Sequence, residues 1–175
     1  RTVLVISDND YCGDPDGLVQ LAHHLLSPSV DVVGVIGANL RIVDPWGPFV
    51  DDVPAASVEA AQRISELCGR DSDRIVPGSA VPLSESREGI RSAAAELIIE
   101  EAMRDDDRPL FVCCGAGLGE VASAWLLEPR IAERVIVVWI GGSAYAANPE
   151  DHEMEYNCSI DPIAAQVVFN ESNLR

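Results

Sequence analysis

Short unbroken apolar runs alternate along this chain with longer stretches in which apolar residues recur every three or four positions. The runs are Thr2 to Ser7, Val32 to Gly37, a brief Arg74 to Val76, Leu110 to Cys114, and Val135 to Ile140. Apolar runs bounded by turn residues suit strands covered on both faces, as in a parallel sheet. Between them the spacing predicts helices over Asp16 to Leu26, Ala55 to Gly69, Arg87 to Arg104, Leu118 to Leu127 and Pro162 to Asn170. In the third of these, Ile90, Ala94, Leu97, Ile98 and Ala102 form a one-faced stripe. The strand and helix alternation predicts an α/β fold, an open and mostly parallel sheet flanked by helices. No internal repeat or low-complexity segment interrupts it.

Two long polar loops, Asn39 to Val53 and Gly141 to Asn157, begin where predicted strands end. In open α/β sheets ligands bind beyond the carboxyl ends of the strands. The Cys113-Cys114-Gly115 turn and an aspartate-rich stretch after the first strand share that edge, so four loops are expected to converge on one crevice. Asp105-Asp106-Asp107 reads as a solvated turn at a helix end.

At 175 residues and 47% apolar, the chain has the size of one domain with a real core. Its formal charge of -17 comes from 29 acidic and 12 basic residues, and every basic one is arginine. Without lysine neither a P-loop nor a pyridoxal-phosphate Schiff base can be built from these residues. The acidic balance also argues against nucleic acid or an anionic membrane as a partner. Five cysteines, Cys12, Cys68, Cys113, Cys114 and Cys158, show no CxxC spacing, which points to a reducing, cytoplasmic setting. No stretch has the length of a membrane span.

ISDNDYCGDPDG, Ile6 to Gly17, carries Asp8, Asp10, Asp14 and Asp16 directly after the first apolar run. Carboxylates crowded together and partly withdrawn from water call for a compensating cation. Oxygen ligands on a sharply turning loop suit a hard divalent ion, Ca2+ more readily than Mg2+. The plainer alternative is an exposed acidic loop in which Asp14 or Asp16 caps the following helix. A second polar cluster, NPEDHEMEYN, offers Asn148, Glu155 and Asn157, and Asn39 follows the second strand. Such groups can bind the hydroxyls of a sugar, although a loop asparagine serves a turn more often. Trp46, Phe49 and Tyr145 can stack on a base or cover a local apolar patch. His152 reads as a surface residue, and His23 and His24 as helix residues that pack or face solvent.

DNDYCGDPDG after an apolar strand resembles the opening signature of the inosine-uridine-preferring nucleoside hydrolase family, DxDxGx followed by paired aspartates. VCCGAGLGEVASAWLLEPRIAERVIVVWIGG, Val112 to Gly142, is similar to that family's GPLTNIA helix, DPR segment and MGG turn. MEYNCSIDPIAA, Met154 to Ala165, is similar to its EFN and DPEAA elements. The resemblance follows the same order over nearly the whole chain. It implies Ca2+ held by Asp10, Asp14, Asp16 and the backbone carbonyl of Cys114. It implies ribose hydroxyls bound by Asn39, Asn148, Glu155 and Asn157. It further implies that Asp16, supported by Asp14, takes the proton from the water that attacks the anomeric carbon. The expected reaction is calcium-dependent hydrolysis of the N-glycosidic bond of a ribonucleoside or related N-riboside. The expected partner is that small molecule, with assembly into a homo-oligomer possible from the family's habit.

Two departures stand out. Gly17 replaces the second of the paired aspartates when the loop is aligned from the helix side. The family also continues past Arg175 with another calcium aspartate and often a histidine for the leaving group. The chain is therefore expected to form a single domain over residues 1–175 that lacks the family's carboxyl-terminal part. Both departures suit an alternative, a catalytically impaired relative that still holds a ribosyl ligand. A phosphatase of the haloacid dehalogenase type is a third reading, since strand-DxD opens that superfamily too. The missing lysines count against it.

Overall fold

The first apolar run becomes β1 (Val3–Asn9) in a computed structural model of the chain, which describes residues 2–13, 15–40, 50–70, 74–143 and 154–175. There follow α1 (Pro15–Leu26), β2 (Val30–Gly37), α2 (Val53–Leu67), β3 (Ile75–Pro77) and α3 (Ala93–Met103). The second part contributes β4 (Leu110–Cys114), α4 (Gly119–Leu127), β5 (Val135–Trp139), α5 (Tyr156–Ile160) and α6 (Pro162–Gln166). The sheet order is β3-β2-β1-β4-β5, and every pairing is parallel. This is the α/β open sheet that the apolar pattern predicts.

The chain winds outward from β1 to β3, then crosses to β4 and β5 on the other side. That reversal opens a crevice at the carboxyl ends of β1 and β4. Leu4 and Ile6 of β1 enter the larger core, with Ile98, Leu110, Val112 and Val121 under α3 and α4. On the other face α1 and α2 bury a smaller cluster of Tyr11, Leu21, Val35 and Ala61.

Most boundaries move by one or two residues, and three larger differences each have a local reason. β1 runs beyond its apolar residues through Asp8 and Asn9, because β2 and β4 keep pairing with it: Asp8 faces Ile36 and Cys114, Asn9 faces Gly37. The third helix starts at Ala93, not Arg87. Ser92 caps it by accepting from the Ala95 amide at 3.0 Å, and Arg87 has φ 55°, a left-handed conformation that no right-handed helix accommodates. The last predicted helix divides: Asp161 caps α6, which passes into a π turn over Val167–Glu171, while α5 lies in a stretch whose polar pattern reads as loop.

Candidate functional site

Asp8 and Asn9 sit side by side at the end of β1, so their side chains leave the sheet on opposite faces. Asp8 lies on the face of Leu4 and Ile6 and is only 1% exposed; Asp10, just past the strand, is 7% exposed. The Cys114 thiol donates to Asp8 Oδ2 at 3.7 Å, while among the described residues Asp8 Oδ1 has no hydrogen-bond partner. Burial drives the Asp8 pKa well above the usual carboxylate range, and the charges of Glu120 and Asp10 push the same way against the Cys114 bond. A buried carboxylate oxygen without a donor is costly unless a cation or a proton meets it.

Asn9, on the α1 face, has a partner at both its nitrogen and its oxygen. Its Nδ2 donates to Gln20 Oε1 at 2.6 Å and its Oδ1 accepts from the Asp10 amide at 2.9 Å. A Cβ at Gly17 would lie 2.9 Å from the Asn9 amide group, and one at Gly115 only 2.2 Å from Asn9 Nδ2. A side chain at position 17 would therefore require Asn9 to shift. The turn beyond is equally tight: the Gly13 amide donates to the Asp10 carbonyl at 2.7 Å, and a Cβ at Gly13 would meet Asp10 Oδ2 at 2.6 Å. Tyr11, buried beneath it, donates its hydroxyl to the Ser7 carbonyl at 2.9 Å.

The described members of the set expected from the sequence lie on elements at the carboxyl-end side of the sheet. Asp16 is exposed in the first turn of α1, whose amino-terminal end carries partial positive charge toward the crevice. Asp14 and Asn148 lie outside the described residues, as do Trp46, Phe49, Tyr145 and His152. The Cys114 carbonyl accepts from the Ile140 amide at 3.1 Å, which leaves one of its two lone pairs. Asn39, on the β2 side, donates to the Ala80 carbonyl at 2.8 Å. On the β4 and β5 side, Asn157 donates to the carbonyls of Ile140 at 2.7 Å and Gly115 at 3.1 Å. Glu155 accepts from the amides of Gly142, Asn157 and Cys158 at 2.8, 2.9 and 3.0 Å. Burial works to raise its pKa, the three amides outweigh it, and the carboxyl sits below its ordinary value.

Two participants, Glu120 and Asp161, escaped the sequence reading, and a third was not singled out in it. Asp8 reads as one acid among several until the strand is seen to carry it inside. Glu120, in the first turn of α4, looks like a solvated helix residue, yet it is 7% exposed. Its two oxygens accept from the Ser79 amide and the Ser92 hydroxyl, each at 2.5 Å. Asp161 accepts from the Leu83 amide at 2.8 Å, and the Asp-Pro pair that begins α6 was its available signal. Glu120 and Asp161 hold the segment between β3 and α3 from two sides. Beneath that segment lies a cavity of about 390 Å³ whose lining includes Asn39, Leu40, Val81, Glu120, Ile160 and Asp161.

Among the described residues no three His, Cys, Asp or Glu side chains come together as a ready metal cluster. The buried Asp8 and Asp10 carboxyls are nevertheless hard oxygen donors, and the partnerless Asp8 Oδ1 is the kind of atom a hard cation satisfies.

Compared with known proteins, residues 5–174 match the sequence profile described as inosine-uridine preferring nucleoside hydrolase. Proteins of that name from Leishmania major and Crithidia fasciculata are each 39% identical over 79 residues, 45% of this chain and 25% of theirs. The crystal structure of an inosine-uridine preferring nucleoside hydrolase from Bacillus anthracis has the same fold, with a TM-score of 0.71 at 22% identity. It aligns with 99% of this chain, which spans 63% of its length.

Proposed function

The chain belongs to the inosine-uridine preferring nucleoside hydrolase family, and from that premise we propose that it serves calcium-dependent hydrolysis of the N-glycosidic bond of a ribonucleoside or related N-riboside, releasing base and ribose. The family generally uses a metal ion. The observation that carries the reading is the inward Asp8 carboxyl, one of whose oxygens has no hydrogen-bond partner among the described residues, close to the nearly buried Asp10. Asp10, Asp14, Asp16 and the Cys114 carbonyl would hold Ca2+, with Asp8 facing them from the strand. When bound, the ion would supply positive charge that makes a water easier to deprotonate.

The protein's own groups account for the remaining steps. Asp16, with Asp14, accepts the proton of the attacking water from its place in the first turn of α1. Asn39, Asn148, Glu155 and Asn157 orient the ribose through its hydroxyls. Glu155, held below its ordinary pKa, keeps a negative charge near the sugar, and the crowded acids favour the oxocarbenium-like transition state. A neutral nucleoside suits this acidic crevice. The five cysteines are free thiols, which accords with a cytoplasmic setting, and a homo-oligomer belongs to the same reading. Among the described residues no helix is long and apolar enough to cross a membrane.

A second reading, a ribosyl-binding relative of impaired activity, draws on one observation: Asn9 closes the space in which an aspartate at position 17 would stand. The phosphatase reading is set aside by the family match. Release of free ribose from inosine and uridine, with Ca2+ and then with a chelator, tests the proposal. Turnover abolished by chelation and restored by Ca2+ is expected. Nucleoside and Ca2+ binding without cleavage would favour the impaired relative.

A further inference from the structure

An asparagine side chain just past a strand end ordinarily turns among several staggered positions. Asn39, which in the hydrolase reading orients the ribose, is instead held at both ends of its amide. Its Oδ1 accepts from the Leu40 amide at 3.0 Å, and its Nδ2 donates to the Ala80 carbonyl at 2.8 Å. One N–H and one oxygen lone pair of the group remain for a sugar hydroxyl. Where that N–H points is therefore set by where the Ala80 carbonyl stands.

Ala80 is placed from behind. Past β3 the Gly78 amide donates to the Gly37 carbonyl at 3.0 Å, the last bond to β2. The Ser79 amide then donates to Glu120 Oε1 at 2.5 Å. The Ser79 hydroxyl donates to the Val81 carbonyl at 2.7 Å and accepts from the Val81 amide at 3.2 Å, a tight turn with Ala80 at its tip. A Cβ at Gly78 would lie 2.9 Å from Glu120 Oε1, so it is a glycine that lets the carboxyl approach the turn. Glu120 is fixed in its own place by the Ser92 hydroxyl at 2.5 Å, and Asp161 fastens the far end of the segment at the Leu83 amide. Between these fastenings Val81 is 58% exposed and a cavity lies beneath, so hydrogen bonds more than packing place the Ala80 carbonyl.

We propose that Glu120 is a positioning residue for the ribose: through the Ser79 amide it sets the Ala80 carbonyl, and through that carbonyl it aims the Asn39 amide at the sugar. Three elements far apart in sequence, β2, the segment after β3 and α4, are thereby joined in one line of bonds that ends at the substrate. The inference rests on the reading of Asn39 as a ribose contact and adds a residue that acts on the sugar only through others.

Steady-state kinetics on inosine and the NMR signal of the Asn39 side-chain amide test it. Glu120→Ala should raise KM by about fivefold, the worth of one ordinary hydrogen bond, while kcat changes by less than about twofold. Glu120→Gln, whose amide oxygen still accepts from Ser79, should bring KM back to within about twofold of the unaltered protein. In an Asn39→Ala background, adding Glu120→Ala should move KM by less than about twofold, because the line of bonds then ends on a missing side chain. Ile98→Val, in the core on α3, shows what lost stability alone does and should leave KM unchanged. With no ligand present the Asn39 amide resonance should shift in Glu120→Ala. Ser79→Ala, which loosens the same turn from its open side, should shift it as well and serves if the first variant does not fold. Additive effects of the Glu120 and Asn39 changes, a fall in kcat with KM constant, or an unmoved Asn39 resonance overturns the proposal. If the unaltered protein binds nucleosides without cleaving them, dissociation constants take the place of KM in the same cycle. If it neither binds nor cleaves them, the hydrolase reading fails, and the Asn39 resonance decides the link to Glu120 by itself.

Discussion

Asp8 and Asn9 are neighbours in one strand, equally buried, and opposite in what surrounds them. Asn9 meets Gln20, the Asp10 amide and two glycines whose missing side chains make room for it. Asp8 meets one thiol and keeps an oxygen with no described partner. A polar side chain whose bonds are all made adds specificity to the fold. One left wanting inside a protein carries an energetic cost that only a ligand, an ion or a proton relieves. Asn9 is therefore a structural side chain, whereas the Asp8 oxygen on the opposite face is left for a ligand.

Substitutions should separate the two faces. The largest effect is expected from Asp10→Asn, which keeps the turn's shape but removes the charge; nucleoside hydrolysis should fall by on the order of 10³ while the unfolding midpoint stays close to that of the unaltered protein. Asp8→Asn should weaken Ca2+ binding by about 10–100-fold in calorimetry without loss of stability of the metal-free protein. A calcium affinity unchanged by this substitution would erase the contrast drawn between the faces. On the structural side, Gly115→Ala should cost roughly 1–3 kcal/mol in urea unfolding, since its methyl group overlaps the Asn9 amide. Adding Asn9→Ala should return part of that loss, because the two changes share one contact. Asn9→Ala alone should cost about 2 kcal/mol by stranding the Asp10 amide, yet leave Ca2+ affinity nearly intact.

The smallest expected effect is a pH slope. Burial raises the Glu120 pKa, the bonds from Ser79 and Ser92 oppose it, and Asp161 adds to the rise. With the folded value above the ordinary 4.5, the folded state holds this proton more tightly. The stability it contributes is full below pH 4.5 and is lost as pH rises through the folded value. Glu120→Gln should flatten that decline, by about 1.4 kcal/mol for each pKa unit of difference. A decline of unchanged steepness would mean that another group governs it.

Much of the architecture was legible because it depends on covering apolar surface. Val3 to Ile6, Leu110 to Cys114 and Val135 to Trp139 contain too few polar residues to face water, so a two-sided parallel sheet with its crevice at the carboxyl ends follows from the pattern. The aspartates of the opening turn advertised a charged site for the same reason: repulsion among them needs an answer. Less legible were the helix that waits for Ser92, the short α5, and the inward turn of Glu120, since each depends on a partner distant in sequence.

What the chain determined by itself was the order of its elements, the place of its site and the sign of its charge, all consequences of local composition. Only the tertiary structure decided which acid points inward, what a side chain at position 17 would meet, and that the apolar β5 ends up at an edge of the sheet described. Those outcomes turn on which atoms meet across the sheet, and residues such as Asn9 and Gly115 come within contact distance only when β1 and β4 pair.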